Sequence, residues 1–240
     1  MLLYYIRHGD PVYSPDSLTP LGERQAEAVG RRLALHGVDD IYASSSKRAQ
    51  LTGKPLAEML KKEIGILDWM SESHFWHEAT TVLENGQRTW ICAEPNFVKL
   101  FNSPELMAMG RDWEKHPDIA ATALPAGLRR IERELDAFLE GYGLIHDRER
   151  RIYIPNEQYD DKKRIALFAH AGFGTGFFSC LMDIIYPEIA TRFDLPHSGV
   201  SIIRFRKCGD GLIPQIMSYS DLSHIYAEHL PMRYNNGQYI

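Results

Sequence analysis

The sequence predicts an α/β fold, in which helices cover both faces of a mostly parallel central sheet to give a three-layer α/β/α sandwich. Short apolar runs alternate along the chain with amphipathic segments of helical period. The clearest of these runs stop abruptly at polar residues, as buried parallel strands do where they end in a loop. With 240 residues, the chain is long enough for one large core, and we expect a single domain over residues 1–240.

The individual elements follow from local patterns. Residues 2–6 are continuously apolar, which predicts a buried first strand. Thr19 precedes Pro20, a pairing typical of a helix start, and apolar residues then recur at helical spacing. A run of serines suited to capping precedes a predicted helix at about residues 47–62, which we expect to be kinked or interrupted near Pro55. Short apolar runs predict strands at residues 41–44, 65–70, 164–169, 200–205 and 213–219. The last two of these strands are expected to form one edge of the sheet.

Two segments depart from this alternation. Residues 73–125 are rich in aromatic side chains and proline, so we expect a helical insertion whose aromatic residues form mainly its core. Residues 143–155 alternate between apolar and polar around a charged turn, which predicts a hairpin.

The composition excludes several classes of protein. The formal net charge of −5 gives no broad attraction to nucleic acid or to anionic membranes. No run of 18 apolar residues indicates a membrane span, and residues 1–6 are too few for a signal peptide. The three cysteines lack metal-type spacing and indicate no disulfide framework. We therefore expect a cytoplasmic protein, and the sequence gives no indication of its oligomeric state.

Polar side chains follow the predicted parallel strands at the edge where open α/β sheets bind ligands. Arg7 and His8 follow the first strand, and Arg48 follows the second after a run of serines. Glu72 follows the third strand, and His170 follows the strand at residues 164–169. We expect these five side chains to converge, since the carboxyl ends of parallel strands share one edge.

This set of side chains suits phosphoryl transfer to and from a small phosphorylated substrate, with no metal and no other cofactor. Guanidinium groups match phosphate oxygens bidentately and stay charged. A neutral imidazole can attack phosphorus directly, and a second, protonated histidine would help to neutralise the phosphoryl oxygens. A carboxyl group such as that of Glu72 can protonate the leaving oxygen and afterwards activate water.

Several short segments form an ordered series along the chain. In order they are Ile6-Arg7-His8-Gly9, residues 18–26 (LTPLGERQA), residues 42–52 (YASSSKRAQLT), Met70-Ser71-Glu72, residues 168–172 (FAHAG) and residues 220–224 (SDLSH). The series resembles the motifs of the histidine phosphatase (phosphoglycerate mutase-like) superfamily. It covers most of the chain outside the insertion, and the ordered set is far more specific than any one motif.

The resemblance implies a phosphatase that hydrolyses a small-molecule phosphate monoester through a phosphohistidine intermediate. By this resemblance, His8 is the phosphorylated nucleophile, and Glu72 is the proton donor. Arg7, Arg48 and His170 bind the phosphoryl group.

The chain departs from the family's pattern at three positions. Asp10 stands where the family often has glutamate, and Pro11 replaces a frequent hydroxyl residue, which removes a possible phosphate donor. Ala171 replaces the first glycine of the HGG segment. None of the five positions expected to act on phosphate is lost.

Two other functions stay open from the sequence. Phosphoglycerate mutase-type phosphoryl transfer uses the same covalent step, but it needs further cationic residues, whereas the loop at residues 10–18 is short and the insertion has mixed charge. A catalytically idle domain that senses phosphate or acts as a scaffold is the third hypothesis, and the presence of all five polar residues argues against it.

Alternatives also exist for single residues. His8 and His170 have the chemistry of metal ligands, as do His74 and His77 at a helical i, i+3 spacing, but the sequence indicates no third ligand. Arginines beside a metal would repel it, so we expect no metal. Glu78 competes with Glu72 as the proton donor because it is the next carboxylate along this segment.

Overall fold

A computed structural model describes residues 1–234, 238 and 239, with backbone only for 233, 234, 238 and 239. Its central sheet has eight strands and is flanked by helices, which confirms the predicted α/β class. Within these described residues, no helix combines the length and apolar character that crossing a membrane requires.

The strands are short except for two near the carboxyl end of the chain. They are β1 (Leu2–Arg7), β2 (Pro11–Tyr13), β3 (Asp16–Leu18), β4 (Asp40–Ala43), β5 (Ile64–Ile66), β6 (Thr80–Val82), β7 (Arg88–Trp90), β8 (Leu144–Asp147), β9 (Ile152–Pro155), β10 (Arg164–Ala169), β11 (Val200–Cys208), β12 (Gly211–Asp221), β13 (Arg233–Tyr234) and β14 (Gln238–Tyr239).

Four of the helices are longer than ten residues. The α-helices are α1 (Pro20–Ala34), α2 (Lys47–Leu60), α3 (Glu72–Glu78), α4 (Pro95–Phe101), α5 (Pro104–Ala108), α6 (Pro117–Ala120), α7 (Leu124–Glu140), α8 (Ala171–Met182), α9 (Tyr186–Arg192) and α10 (Ser223–Ala227). Single 3₁₀ turns lie at Asp68–Met70 and Ile91–Ala93, and a longer 3₁₀ segment lies at Gly110–Lys115.

The central sheet has a parallel half and an antiparallel half. Its strand order is β5-β4-β10-β1-β11-β12-β9-β8. The three pairs from β5 to β1 are parallel, whereas the four pairs from β1 through β11, β12 and β9 to β8 are antiparallel. The sheet is therefore mixed and not mostly parallel as predicted. The parallel half therefore places the ends of β1, β4 and β10 side by side at one edge.

Side chains of β1 alternate between two cores, one on each face of the sheet. Leu3 and Tyr5 pack in the larger core with the apolar faces of α7 and α8. Tyr4 and Ile6 pack in the smaller core, which includes Val29 of α1 and residues of α2. This alternation with helices on both faces is the arrangement expected of a buried strand in a three-layer fold.

Three local predictions are wrong or incomplete. Residues 65–70 do not form one strand, because β5 ends at Ile66 and a 3₁₀ turn follows it. Helix α2 continues through Pro55. The strands β11 and β12 do not form an edge, because β12 pairs with β9 and β8 lies outermost. Long-range pairing decides such an edge, and a local pattern does not contain that information.

The segment at residues 73–125 contains more than helices. The strands β6 and β7 pair antiparallel between α3 and α4. Phe75, Phe101 and Trp113 are buried in the same core as Leu3 and Tyr5 of β1. Aromatic residues of this segment therefore belong to the main core of the protein, in place of a separate core of their own.

Candidate active site

Backbone hydrogen bonds hold the ends of three parallel strands together. The N–H of His8 donates to the carbonyl oxygen of Ala169 over 2.9 Å, just past the ends of β1 and β10. The N–H of Ser44 donates to the carbonyl oxygen of Phe168 over 3.0 Å, just past the end of β4. The residues that follow these strands are thus fixed relative to one another by the sheet.

The ring of His8 is held in one orientation. Its Nδ1 atom lies 2.7 Å from the carbonyl oxygen of Gly9. Because a carbonyl oxygen only accepts, Nδ1 must carry the hydrogen, and Nε2 keeps its lone pair. The N–H of Gly9 donates in turn to Oγ1 of Thr52 over 2.9 Å, which fixes the loop that carries the accepting carbonyl.

The environment of His8 keeps the imidazole neutral. Burial lowers the pKa of His8 well below its ordinary value, and the neighbouring His170, Arg7 and Arg48 lower it further. The side chain is 1% exposed. A buried, neutral imidazole with a free Nε2 lone pair is a competent nucleophile.

Two glycines allow this loop to approach α1. A Cβ atom on Gly9 would lie 2.7 Å from the carbonyl oxygen of Gly22, closer than real Cβ atoms come to backbone. The glycine of the Arg7-His8-Gly9 segment and that of residues 18–26 therefore pack against each other. This contact explains in physical terms why both segments carry glycine.

Arg48 is the centre of the polar cluster. Its Nη1 atom donates to Oδ1 of Asp16 over 2.9 Å, and its Nη2 atom lies 3.2 Å from both Oε2 of Glu72 and Nδ1 of His170. Arg48 is the second residue of α2, which begins just beyond β4. One guanidinium group thus orients the candidate proton donor and the second histidine together.

Asp16 also replaces the predicted serine cap of α2. Ser46 stands at the N-cap position, but its side chain makes no capping hydrogen bond. Instead, Oδ2 of Asp16 accepts the N–H of Lys47 over 2.7 Å. A carboxylate at a helix start is favourable because it satisfies a free N–H and interacts with the helix dipole.

His170 is fixed on three sides. The hydroxyl of Tyr5 donates to its carbonyl oxygen over 2.6 Å, and Oγ of Ser44 lies 2.6 Å from its Nε2. Arg48 donates to Nδ1, so Nε2 carries the ring hydrogen and donates to Ser44. The imidazole therefore presents Nδ1 toward the polar cluster.

The protonation state of His170 differs from the prediction. Burial lowers its pKa to about 4; Glu72 raises the pKa in part, and Arg48 and Arg7 lower it. His170 is therefore neutral near neutral pH, in place of the protonated second histidine predicted from the sequence. A bound phosphoryl group would raise this pKa, since an adjacent negative charge favours the imidazolium.

The carboxylate of Glu72 faces the cluster from the start of α3. Its Oε1 atom accepts the N–H of Gly172 over 2.9 Å, and its Oε2 atom lies 3.7 Å from Nδ1 of His170. The competing carboxylate, Glu78, is held by Arg130 at 2.6 and 2.7 Å. Of the two carboxylates, the structure brings Glu72 to the histidines.

Arg7 completes the set of five. It is 5% exposed and donates to the carbonyl oxygen of Leu195. It also lines a cavity of about 470 Å³ together with Glu72. The structure thus brings His8, Arg48, Glu72 and His170 into one cluster and places Arg7 on the same cavity as Glu72.

The site also has the donor set of a metal centre. One ligand atom from each of His8, Glu72 and His170 lies within 4.8 Å of the others, so Glu72 is the third ligand that the sequence did not indicate. However, the guanidinium of Arg48 lies 3.2 Å from both Glu72 and His170, where it would repel a cation. The other histidine pair is exposed, and His74 lies 2.9 Å from Asp68.

Three residues of the site, Asp16, Ser44 and Tyr5, were not predicted from the sequence. No local sequence pattern indicates a role for Asp16, because its contacts depend on the fold of the short β2–β3 hairpin. Ser44 belonged to a recognised segment, but the local pattern suggested helix capping and not contact with His170. The sequence pattern places Tyr5 only in an apolar strand, although its hydroxyl donates a hydrogen bond to the carbonyl oxygen of His170 from within the core.

Comparison with known proteins supports the resemblance to the histidine phosphatase superfamily. Residues 3–90 match the family described as histidine phosphatase superfamily (branch 1). The predicted resemblance to the histidine phosphatase superfamily is confirmed. The match contains four of the five site positions, and His170 lies outside it. No curated protein matches this histidine phosphatase-like chain in sequence.

Solved structures of low sequence identity share the fold of this histidine phosphatase-like chain. A phosphoserine phosphatase from Entamoeba histolytica is 18% identical, with a TM-score of 0.58 over 93% of this chain and 98% of that one. A mycobacterial glucosyl-3-phosphoglycerate phosphatase is 14% identical, with a TM-score of 0.58 over 92% and 99%. A putative α-ribazole-5'-P phosphatase from Escherichia coli is 16% identical, with a TM-score of 0.56 over 92% and 97%.

Proposed function

We propose that this protein is a phosphatase that hydrolyses a small phosphate monoester through a phosphohistidine on His8, without a metal. The observation that carries the proposal is the orientation of His8, whose Nδ1–H is bound to the carbonyl oxygen of Gly9. This leaves Nε2 as the nucleophile beside Arg48, Glu72 and His170.

In the first step, the Nε2 lone pair of His8 forms a bond to phosphorus while the bond from phosphorus to the leaving oxygen breaks. Glu72 in its protonated form gives its proton to that oxygen, so the alcohol leaves uncharged. Arg7 and Arg48 bind the non-bridging phosphoryl oxygens and stabilise their charge. His170 donates from Nδ1 once the phosphoryl group has raised its pKa.

In the second step, the carboxylate of Glu72 removes a proton from water. The water oxygen bonds to phosphorus, and the bond between phosphorus and Nε2 of His8 breaks. Inorganic phosphate leaves, and His8 and Glu72 return to their starting states. The same carboxyl group serves as acid and then as base, which balances the protons over the cycle.

The comparisons support the class of substrate in this proposal. The solved neighbours bear names of phosphatases for phosphoserine, glucosyl-3-phosphoglycerate and α-ribazole-5'-P, all small molecules with one phosphate ester. The expected single domain over residues 1–240 is part of the proposal, supported by one core that extends from Met1 to Leu212. The predicted cytoplasmic location and the lack of nucleic-acid and membrane partners stay predictions.

A phosphate-release assay on a panel of small phosphate monoesters tests the proposal. We expect hydrolysis of several members, loss of activity in His8→Ala, and unchanged activity in His36→Ala, a control at an exposed turn. Interconversion of 2- and 3-phosphoglycerate without net phosphate release would favour the mutase alternative. Tight phosphate binding without turnover of any ester would favour an idle, phosphate-sensing domain.

A further inference from the structure

Two cavities open beside Glu72, and aromatic side chains line both of them. The first, of about 470 Å³, also contains Arg7, and the second, of about 540 Å³, contains Arg48. Tyr13, Glu72 and Trp90 line both cavities. The two spaces therefore meet at the candidate proton donor, between an aromatic ring from β2 and another from β7.

Trp90 is fixed next to Glu72. Its indole ring lies directly over Gly172, where any Cβ atom would overlap it. The N–H of the same Gly172 donates to Oε1 of Glu72. Trp76 packs edge-on against Trp90 with the ring centroids 4.9 Å apart and lines the second cavity. Trp90 thus forms a wall of the site, separated from the carboxylate of Glu72 only by Gly172.

Tyr13 is an exposed aromatic ring held beside a phosphate-binding residue. It is 59% exposed, and its ring centroid lies 5.4 Å from Cζ of Arg48. The β2–β3 hairpin that carries it is tied to α2 by Asp16, which binds both Arg48 and Lys47. A large exposed aromatic side chain in a defined position at a pocket is a feature of ligand contact.

Proton transfer from Glu72 requires the leaving group to lie beside the rings of Tyr13 and Trp90. The leaving oxygen must come within hydrogen-bond distance of Glu72 to receive its proton. The organic group attached to that oxygen must therefore extend into the space that Tyr13 and Trp90 border. Thr175, Thr191, Arg192 and Asp194 line the remainder of the first cavity and offer hydrogen bonds to polar substituents.

We propose that the substrate is a phosphate monoester whose leaving group carries a planar aromatic or heteroaromatic ring, bound against Trp90 and Tyr13. This inference rests on the proposed function. Aromatic faces bind planar rings through stacked or edge-on contacts that aliphatic rings of equal size do not provide. Tyr13 and Trp90 are accordingly specificity-determining residues of the site.

A pair of matched esters tests the inference. Benzyl phosphate and cyclohexylmethyl phosphate have rings of similar size, each joined through one methylene, and both leave as alkyl alcohols of similar basicity. The cyclohexyl ring is the more hydrophobic, so an unspecific apolar pocket would favour it. We expect kcat/KM for benzyl phosphate to exceed that for cyclohexylmethyl phosphate by about tenfold, the effect of one or two aromatic pairs.

Substitutions of Tyr13 and Trp90 test whether these two rings cause the preference for benzyl phosphate. In Tyr13→Leu and in Trp90→Leu, the benzyl-to-cyclohexylmethyl ratio should fall toward one, whereas Trp90→Phe, which keeps a ring, should retain part of it. Tyr226→Leu is the control, because Tyr226 is 74% exposed on α10 and lines neither cavity. Its ratio should equal that of the wild-type protein.

The possible outcomes separate this inference from the proposed function. Hydrolysis of both esters with a wild-type ratio of one or less would overturn the inference alone. A wild-type preference that persists in both Tyr13→Leu and Trp90→Leu would overturn it as well. Failure to hydrolyse either ester, with no phosphohistidine formed from any monoester, would overturn the proposed function and the inference together.

Discussion

Nδ1 of His8 lies 2.7 Å from the carbonyl oxygen of Gly9, the next residue along the chain. This contact decides which ring nitrogen is free, and the mechanism depends on that choice. Because Gly9 is adjacent to His8 in sequence, the position of its carbonyl oxygen depends on the conformation of the loop and not on a distant side chain. The packing of Gly9 on Gly22 and its hydrogen bond to Thr52 hold that loop in place.

The role of Glu72 predicts a dependence on the leaving group. Glu72→Gln keeps the size of the side chain but removes the proton, so an alkyl phosphate should lose about 10²-fold or more in the rate of the first step. An activated aryl phosphate leaves without a proton, and its transfer to His8 should change much less. Single-turnover measurement of phosphohistidine formation from the two esters tests this difference.

Glu78→Gln is the matched control for that experiment. Glu78 binds Arg130 through both carboxylate oxygens, so its loss should reduce the free energy of unfolding by about 1–2 kcal/mol. It should not alter the dependence on the leaving group. Equal slowing of both esters by Glu72→Gln, or a selective loss in Glu78→Gln, would show that the proton donor is misassigned.

The positive charge of Arg7 and Arg48 predicts activity without a metal. Hydrolysis should survive exhaustive chelation, because the guanidinium groups stabilise the phosphoryl charge. Loss of activity on chelation, with recovery on adding one divalent ion, would refute the metal-free mechanism.

The buried His224 predicts a dependence of stability on pH. Burial lowers its pKa to about 4, and Arg32 contributes in the same direction. An unfolded chain binds the proton at about pH 6.5, so as the pH falls from there to about 4 the unfolded state gains a proton that the folded state lacks. The free energy of unfolding therefore falls over this window.

The variant His224→Gln removes this contribution while the other histidines stay in place. Between the two ends of that window, the difference in free energy of unfolding between wild type and variant should change by about 3 kcal/mol, in favour of the variant at the acid end. Urea denaturation at a series of pH values measures it. Parallel curves for the two proteins would contradict the assignment.

The sequence predicted the parts of the molecule that depend on local patterns. Residues 2–6 and 165–169 are continuous apolar runs, and Arg7 and His170 follow them without a gap. Convergence of these residues then follows from parallel pairing, which apolar runs alternating with helices predict.

The remaining features depend on contacts between distant segments. The contact of Asp16 with Arg48 requires the β2–β3 hairpin to fold back on α2, and no short pattern encodes it. The neutral state of His170 follows from complete burial beside Ser44 and Tyr5, which a sequence does not display. The antiparallel half of the sheet likewise joins strands through long-range pairs such as Leu212 with Tyr153.

Direct detection of the phosphorylated residue tests the central claim. The protein is mixed with a hydrolysable monoester, denatured within the turnover time at alkaline pH, where phosphohistidine persists, and digested for mass spectrometry. We expect one phosphoryl group on Nε2 of His8, released by acid, and none in His8→Ala, with normal labelling in His36→Ala. Phosphate on a serine or aspartate, or turnover by His8→Ala at the wild-type rate, would contradict the account.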